Sequence, residues 1–247
     1  MNRLALIGGT GALDLFEPGP EQSVGTRWGS PSAPPVQVQL GALSAWFLAR
    51  HGRPHRIPPH RIDYRANIAA LAELGVRSVI AINAVGGIDP ALAPGALVLP
   101  DQLIDYSWGR VSSFSDDADE PLAHIEFAEP FAGPARQAVL AAAVRSGVSV
   151  HSGGCYGVTQ GPRLETAAEI ARLARDGCSL VGMTAMPEAA LAREAGIDYC
   201  SLCVIANPAA GLSAEPISIE DIHRVLAAAM AQVRTLLLAL DPEHFAE

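Results

Sequence analysis

The chain has 247 residues, of which 49% are hydrophobic and 17% charged, so it can bury a large core and is expected to fold as one α/β domain over residues 1–247. Its formal net charge of −9 argues against a nucleic-acid surface, because binding to a phosphate backbone requires basic stripes. The apolar runs are too short to span a bilayer and the N-terminus lacks the pattern of a secretion signal, so a cytoplasmic protein is expected.

The first predicted strand, residues 3–7, runs into the glycine-rich turn Gly8-Gly9-Thr10-Gly11. Glycines allow a backbone to approach an anion closely, and the hydroxyl of Thr10 adds a donor. The turn lacks the G-x-G-x-x-G spacing and the downstream acidic residue of a dinucleotide fold, which disfavours a dehydrogenase. An ordinary strand-to-helix turn and a phosphate loop both remain open at this point.

Strands are predicted next at residues 36–40 and 43–50, and the second of them ends in a basic loop. Residues 50–61 contain four arginines and three histidines. Three interpretations compete: a solvated basic loop, an anion clamp built from guanidinium forks and imidazole N–H groups, and a metal site. The arginines would repel a cation and the loop has no carboxylate, so the anion clamp is favoured.

The elements downstream alternate between helix and strand. They are a helix at 63–74, strands at 78–84, 96–99 and 102–104, a helix at 135–146, a strand at 148–158, helices from Thr166 and Pro187, a strand at 198–206 and a long helix opened by Ser218. This alternation predicts a mostly parallel twisted sheet with helices on both faces. Ligands of such sheets bind outside the carboxyl ends of the strands. One pocket is therefore expected to be lined by the loops at 8–11, 50–60, 83–87, 161–166 and 207–211.

Residues 106–130 form a long polar connection with acidic residues at 116, 117, 119 and 120. A structureless connection of this length predicts a lid or a subunit contact. His124 lies within it and, taken alone, is interpreted as a surface histidine.

The stretch from Gly182 to Asn207 is the one around which a site is predicted to form. Thr184 is expected to cap a helix whose first turn holds Pro187 and Glu188, and free N–H groups at the helix start would bind an anion. Glu188 is interpreted as a favourable partner of the helix dipole. The strand that follows ends in Asn207, whose amide can both donate and accept.

The four cysteines are interpreted as buried free thiols. Cys200 and Cys203 form a C-x-x-C pair, but they lie inside an apolar run, and no second pair or histidine stands at the spacing of metal ligands. No metal site is predicted at these residues or at Cys155 and Cys178.

In chain order, these residues resemble the trimeric purine nucleoside phosphorylase and methylthioadenosine phosphorylase family, and the resemblance covers almost the whole chain. The motifs that carry it are Gly8-Gly9-Thr10-Gly11, Arg50-His51-Gly52-Arg53-x-His55, Asn83-Ala84-Val85-Gly86, Gly161-Pro162-Arg163-x-Glu165-Thr166, Gly182-Met183-Thr184, Pro187-Glu188, Ala192-Arg193-Glu194 and Asn207. The resemblance implies a purine nucleoside phosphorylase-like fold, a homotrimer, and inorganic phosphate as co-substrate with no other cofactor. The implied reaction is attack of phosphate on a purine nucleoside, giving free base and a sugar 1-phosphate.

The same resemblance implies roles for individual residues. The positions similar to those that hold phosphate are Thr10, Arg50, His51, Ala84 (through its backbone) and Thr184. Met183 matches a residue that lies against the ribose, and His124 would reach the 5′ pocket of a neighbouring subunit. Asn207 and His51 are expected to act in catalysis. Glu165, which by itself could be only a helix-dipole partner, matches a glutamate that accepts from the purine N1–H group.

Two departures from the family pattern predict the substrate. Adenine-specific members carry aspartates where this chain has Asn207 and Ala209 and a small hydroxyl residue where it has Glu165, so a 6-oxopurine base is expected. At the sugar end, Ile219 and Ile222 stand where inosine enzymes place a histidine, and an apolar lining favours a methylthio group over a hydroxyl. Together the two ends predict phosphorolysis of S-methyl-5′-thioinosine.

The remaining departures do not choose a base. Leu164 replaces a phenylalanine that stacks on the base in relatives. The chain ends soon after Leu240 and is expected to lack the tail with which methylthioadenosine enzymes complete a neighbour's pocket. The alternatives are, in order, an inosine or guanosine phosphorylase, a methylthioadenosine phosphorylase, and a nucleoside-binding module without turnover, which the intact phosphate-binding set disfavours.

Overall fold

The computed structural model describes residues 3–115, 122, 124–214 and 216–245. These residues form ten strands, five α-helices and two 3-10 helices, at Pro59–Arg61 and Pro242–Phe245. In chain order the main elements are β1 (Leu4–Gly8), β2 (Val36–Leu40), β3 (Leu43–Ala49), α1 (Tyr64–Glu73), β4 (Ser78–Gly87), β5 (Leu97–Leu99), β6 (Gln102–Asp105), α2 (Pro134–Ser146), β7 (Val150–Ser152), β8 (Cys155–Val158), α3 (Ala167–Arg175), β9 (Cys178–Gly182), α4 (Ala185–Glu194), β10 (Asp198–Pro208) and α5 (Ile219–Leu238).

The strands form one sheet whose main path runs β2-β3-β1-β4-β10-β5-β7, with β6, β8 and β9 joined to it through the pairing of β9 with β4. Six strand pairs are parallel. Three pairs are antiparallel: β2 with β3, β4 with β9, and β5 with β10. The prediction of a mixed, mostly parallel sheet is confirmed.

Alternate residues of the central strands pack against opposite layers of helices. Leu4 and Leu6 of β1 lie in one apolar cluster with α2 and α5, whereas Ala5 and Ile7 lie in a second cluster with α1 and α4. This period of two places helices on both faces of the sheet, as the sequence predicts, and explains why β1 is buried along its whole length. A third, smaller cluster joins α3 to β9.

Two details of the sheet differ from the sequence-based prediction. The single strand predicted at 148–158 is two strands, because Gly153 and Gly154 adopt φ angles of 110° and 105° and break the extended backbone between them. Strand β9 is not among the predicted strands. It is nevertheless the strand that carries the chain to Met183 and Thr184.

The four cysteines are free thiols, three of them buried and Cys155 half-buried. Within the described ranges, no group of three or more histidine, cysteine, aspartate or glutamate side chains is arranged to hold a metal ion. No helix in the same part of the chain is long and apolar enough to cross a membrane.

From Tyr106 to Pro130 the described residues form no helix or strand. The first part of this connection is nevertheless anchored, because residues 113–115 donate hydrogen bonds to the carboxylate of Glu194 at 3.0–3.2 Å. The acidic positions 116, 117, 119 and 120 lie outside the described residues, and a role as lid or subunit contact stays a prediction. His124 is exposed, as expected.

Candidate active site

A cavity of about 470 Å³ lies at the carboxyl ends of β1, β3, β4, β9 and β10. All five loops that the sequence predicts to share one pocket contribute residues to its wall. The opening forms where β4 changes partner: β4 pairs with β1 as far as Ile82 and with β9 from Gly86. Between these points Asn83, Ala84 and Val85 line the cavity, and no strand of the described residues covers them on that side. Such a switch in strand pairing is where α/β sheets bind ligands.

All five positions implied to hold phosphate line this cavity. Thr10 follows β1, Arg50 and His51 follow β3, Ala84 lies within β4 and Thr184 follows β9. Four separate strands therefore bring one hydroxyl, one guanidinium, one imidazole, a stretch of backbone and a second hydroxyl to one cavity.

Arg50 is 1% exposed and forms an ion pair with Glu188, which is fully buried. Its Nε donates to Oε2 of Glu188 at 2.7 Å, Nη2 donates to Oε1 at 2.8 Å, and Nη1 donates to the Ile82 carbonyl at 3.1 Å. The Tyr199 hydroxyl also donates to Oε1 of Glu188, at 2.9 Å. Burial lowers the pKa of Arg50, but the carboxylate of Glu188 more than offsets this, so the pKa is raised and Arg50 stays cationic.

The start of α4 differs from the expectation in one respect. Glu188 lies in the first turn of α4, as expected, and is in addition the buried counter-ion of Arg50. Thr184 occupies the N-cap position, but its hydroxyl makes no capping hydrogen bond and instead donates to Oδ1 of Asn83 at 3.1 Å. Sequence spacing predicts the positions of both residues but not their partners, which are 138 and 101 residues away in the chain.

Only part of the basic loop faces the cavity. Arg50, His51, His55 and Arg56 line it, whereas the guanidinium of Arg53 is directed toward the Leu13 carbonyl, at 3.4 Å. Glu188 and the Ile82 carbonyl take three of the five N–H groups of Arg50, which leaves one N–H on each Nη for an anion, so a role of Arg50 in an anion clamp stays a prediction.

His51 is held as a neutral imidazole. Its Nδ1 lies 2.8 Å from the Ile57 carbonyl, which can only accept, so Nδ1 carries the proton and Nε2 is an acceptor. Burial, followed by the charge of Arg50, lowers the pKa of His51 to about 4 although the hydrogen bond to Ile57 opposes the shift. The ring of His55 stacks on that of His51 with centroids 4.3 Å apart.

Asn83 orients Thr184, a role that sequence reasoning did not assign to it. Its Oδ1 accepts from the Thr184 hydroxyl, and its Nδ2 donates to the Ser201 hydroxyl at 2.6 Å. All three side chains are buried. Because both ends of a buried amide are satisfied, the side chain is fixed in one orientation. The available signal was an asparagine inside a strand that is otherwise apolar.

The purine end predicted from the sequence lies in the same cavity. Oε1 of Glu165 accepts from the Thr159 hydroxyl at 2.6 Å, which leaves Oε2 for a ligand. Asn207 follows an irregularity in the pairing of β10 with β4, and its Nδ2 donates to the Pro208 carbonyl at 2.6 Å. Its second N–H and its Oδ1 remain for a base. Met183, Ala209 and Leu164 complete this wall.

The wall predicted to face the sugar is apolar but open. Ile219 and Ile222 both line the cavity, and Ile219 is 63% exposed. Sequence reasoning missed His223, which follows Ile222 on α5 and also lines the cavity. His55 lines the same cavity, and its pKa is lowered by burial, followed by the charges of Arg50 and His223. His124 is the one predicted site residue that does not line this chain's cavity.

The buried ion pair yields a prediction about stability. Replacing Glu188 by glutamine leaves the guanidinium of Arg50 buried without a counter-ion, which should lower the free energy of unfolding by about 3–5 kcal/mol. Urea unfolding monitored by circular dichroism measures the change. The matched control is Glu169→Gln, which breaks an exposed pair with Arg163 while keeping a side chain able to close the capping box of α3. If the two variants have equal free energies of unfolding, the ion pair does not contribute the stability assigned to it.

The neutral state of His51 yields a prediction about pH. Because its pKa in the folded protein is lowered from 6.5 to about 4, the unfolded chain takes up the proton first as the pH falls. The stability that His51 contributes is therefore complete above pH 6.5 and is lost on the way to pH 4. Between pH 7 and pH 5 the wild type should lose about 2 kcal/mol more unfolding free energy than His51→Gln. If the unfolding free energies of the two proteins fall in parallel between pH 7 and pH 5, His51 is not held neutral.

Comparison with known proteins assigns the chain to a family. The model of the phosphorylase superfamily matches residues 3–240. The chain is 54% identical over 211 residues to a probable S-methyl-5′-thioinosine phosphorylase of Xanthomonas campestris pathovar campestris, with 84% of each chain covered. It is 39% identical over 251 residues to the 6-oxopurine nucleoside phosphorylase of Pyrococcus furiosus, with 98% of this chain and 93% of the relative covered.

Solved structures agree with the sequence relatives. The methylthioadenosine phosphorylase from Schistosoma mansoni in complex with adenine superposes with a TM-score of 0.91 at 31% identity, covering 97% of this chain and 90% of that one. Fold, cavity position and sequence similarity thus lead to the same conclusion: the chain belongs to the phosphorylase superfamily.

Proposed function

We propose that the protein catalyses the phosphorolysis of S-methyl-5′-thioinosine to hypoxanthine and 5-methylthioribose 1-phosphate. The observation that carries the proposal is that Glu165, Asn207, Ile219 and Ile222 line one cavity together with the positions expected to hold phosphate. The polar pair suits a 6-oxopurine and the aliphatic pair a methylthio group. The relative from Xanthomonas campestris, a probable S-methyl-5′-thioinosine phosphorylase, supports the same substrate.

Phosphate is the nucleophile, and the protein's task is to hold and aim it. In this proposal Arg50, the Thr10 hydroxyl and the backbone at Ala84 bind its oxygens, and the Thr184 hydroxyl joins them by turning its proton from Oδ1 of Asn83 to the anion. His51 presents Nε2 as an acceptor, which suits the P–OH group of a hydrogen phosphate. The anion then lies against the sugar as positive charge develops at the anomeric carbon, so proximity and charge together lower the barrier.

The leaving base is stabilised at the other end of the cavity. Asn207 donates its second N–H to O6, and Glu165 accepts from N1–H through Oε2. The bond from Asn207 to O6 strengthens as the base gains negative charge on breaking of the glycosidic bond, whereas Glu165 orients the base through N1–H, and Asn207 assists protonation at N7. Stabilisation that grows toward the transition state is the kind that accelerates the chemical step. Met183 packs against the ribose. No cofactor besides inorganic phosphate is needed.

The exposure of Ile219 supports a further part of the proposal. The protein is proposed to be a homotrimer in which His124 of a neighbouring subunit covers the sugar end. Ile219 is 63% exposed in one chain, so its contact with a methylthio group contributes little until something closes over it. The connection 106–130, which carries His124, is proposed to form that contact in a cytoplasmic enzyme.

A second candidate is a phosphorylase for inosine and other 6-oxopurine nucleosides. It is favoured by His223, whose imidazole beside the isoleucines offers a hydrogen-bonding partner to a 5′-hydroxyl. The relative from Pyrococcus furiosus is of this type.

Specificity constants separate the candidates. With phosphate present, kcat/KM for S-methyl-5′-thioinosine should exceed that for inosine about 10–200-fold, the range available to an apolar pocket, and should also exceed that for methylthioadenosine. Base release is followed by chromatography. A preference for inosine would establish the second candidate, and a preference for methylthioadenosine would overturn the roles of Glu165 and Asn207. Without phosphate no base should be released, whereas a binding module would release none in either case.

Two variants test the two ends of the cavity independently, and each is the control for the other. Asn207→Asp should shift the ratio of methylthioinosine to methylthioadenosine turnover toward the aminopurine, because a carboxylate accepts from the exocyclic amine. It should leave the ratio of methylthioinosine to inosine unchanged. Ile219→His should shift the ratio of methylthioinosine to inosine turnover toward inosine and should leave the ratio of methylthioinosine to methylthioadenosine turnover unchanged. The expected shifts are about tenfold or more, corresponding to about 1.4 kcal/mol. If each variant moves both ratios together, the ends are not separate specificity elements.

A further inference from the structure

Arg110 lies in the irregular connection after β6, yet its guanidinium is the most heavily bonded cation near the cavity. Nε donates to Oε1 of Gln160 at 3.2 Å, and Nη2 donates to the carbonyls of Thr159 and Gln160 at 3.1 and 2.8 Å. Nη1 donates to the carbonyl of Met183 at 2.7 Å and to that of Met186. A guanidinium has five N–H groups, so these contacts engage its full donor capacity.

The two segments that Arg110 joins supply opposite ends of the site. Thr159 and Gln160 lead directly into the loop that carries Glu165, and the Thr159 hydroxyl bonds the Glu165 carboxylate at 2.6 Å. Met183 lies in the turn after β9 and Met186 at the start of α4, so the two carbonyls belong to residues on either side of Thr184 in the chain. The guanidinium thus connects the loop at the purine end with the turn at the phosphate end, from outside the cavity wall.

We propose that Arg110 is a positioning residue that fixes the distance between the bound base and the bound phosphate. This inference rests on the proposed function. Arg110 does not line the cavity and touches neither ligand; it acts through the backbone of the two segments that do. Only arginine suits the task, because its planar fork reaches two separate sets of carbonyls, whereas the ammonium of lysine is a single point charge.

The inference predicts that binding and turnover separate. Each ligand alone contacts only one of the two segments that Arg110 joins, so loss of Arg110 should change the Kd of hypoxanthine and the Kd of phosphate by less than about threefold, since neither ligand touches the guanidinium. Turnover requires both segments to be correctly placed relative to each other, and a misplacement of about 1 Å lowers the rate on the order of 100-fold. The cooperativity between binding of the base and binding of phosphate in the ternary complex should fall together with kcat.

The test compares Arg110→Met, Arg110→Lys and Arg145→Met with the wild type. Arg145 is a matched control, because its Nε and Nη2 donate to the Ala239 carbonyl at 3.0 and 2.8 Å, away from the cavity. For Arg110→Met we expect kcat with S-methyl-5′-thioinosine to fall about 100-fold while the separate Kd values hold. Arg110→Lys should recover part of kcat, and Arg145→Met should behave as the wild type.

Amide hydrogen exchange gives a readout that does not depend on turnover. In Arg110→Met, exchange should accelerate both in residues 159–165 and in residues 182–187, and in Arg145→Met in neither. An unchanged kcat, a loss of kcat that only tracks the unfolded fraction, or separate Kd values that weaken as much as kcat would each overturn the inference. If the wild type and Arg145→Met release no hypoxanthine, the proposed function fails. Amide hydrogen exchange then tests the inference alone. Faster exchange in both segments of Arg110→Met supports the positioning role of Arg110, and unchanged exchange overturns it.

Discussion

The buried ion pair between Arg50 and Glu188 is the interaction on which the cavity depends. Removing two charges from water is costly, and the cost is repaid only when geometry is good and the remaining donors and acceptors are satisfied. Here the guanidinium meets both oxygens of Glu188 and the Ile82 carbonyl, and Tyr199 supplies a further donor to the carboxylate. The pair ties the end of β3 to β4, α4 and β10, and so fixes the floor of the cavity.

This pairing also determines how the site meets an anion. In a chain of net charge −9, two of the positions expected to hold phosphate carry little net charge, because Arg50 is paired with the carboxylate of Glu188 and the imidazole of His51 is neutral. The proposed phosphate site is therefore built mainly from hydroxyls, backbone groups and a neutral acceptor. Such a site orients an anion through directed hydrogen bonds and does not trap it by net charge alone, which suits a nucleophile that must leave as part of the product.

The sequence predicted the layered sheet and the convergence of five loops because both follow from local patterns. Strand and helix periods are visible in single segments, and the carboxyl ends of parallel strands share one edge. What it could not reveal are contacts between segments distant in the chain. The pairing of Arg50 with Glu188 spans 138 residues and that of Thr184 with Asn83 spans 101. No sequence pattern near Arg110 indicates that it bonds two backbone segments. His223 follows the apolar pair Ile219 and Ile222, and no pattern marks it as a residue of the cavity.

The central claim is that a 6-oxopurine and an inorganic anion occupy one cavity at the break in β4 pairing. A crystal structure of the enzyme with phosphate and hypoxanthine tests it most directly. We expect phosphate oxygens at hydrogen-bond distance, about 3 Å, from the hydroxyls of Thr10 and Thr184, and the base between Glu165 and Asn207. Phosphate bound outside this group, or a purine that meets neither of those two side chains, would contradict it.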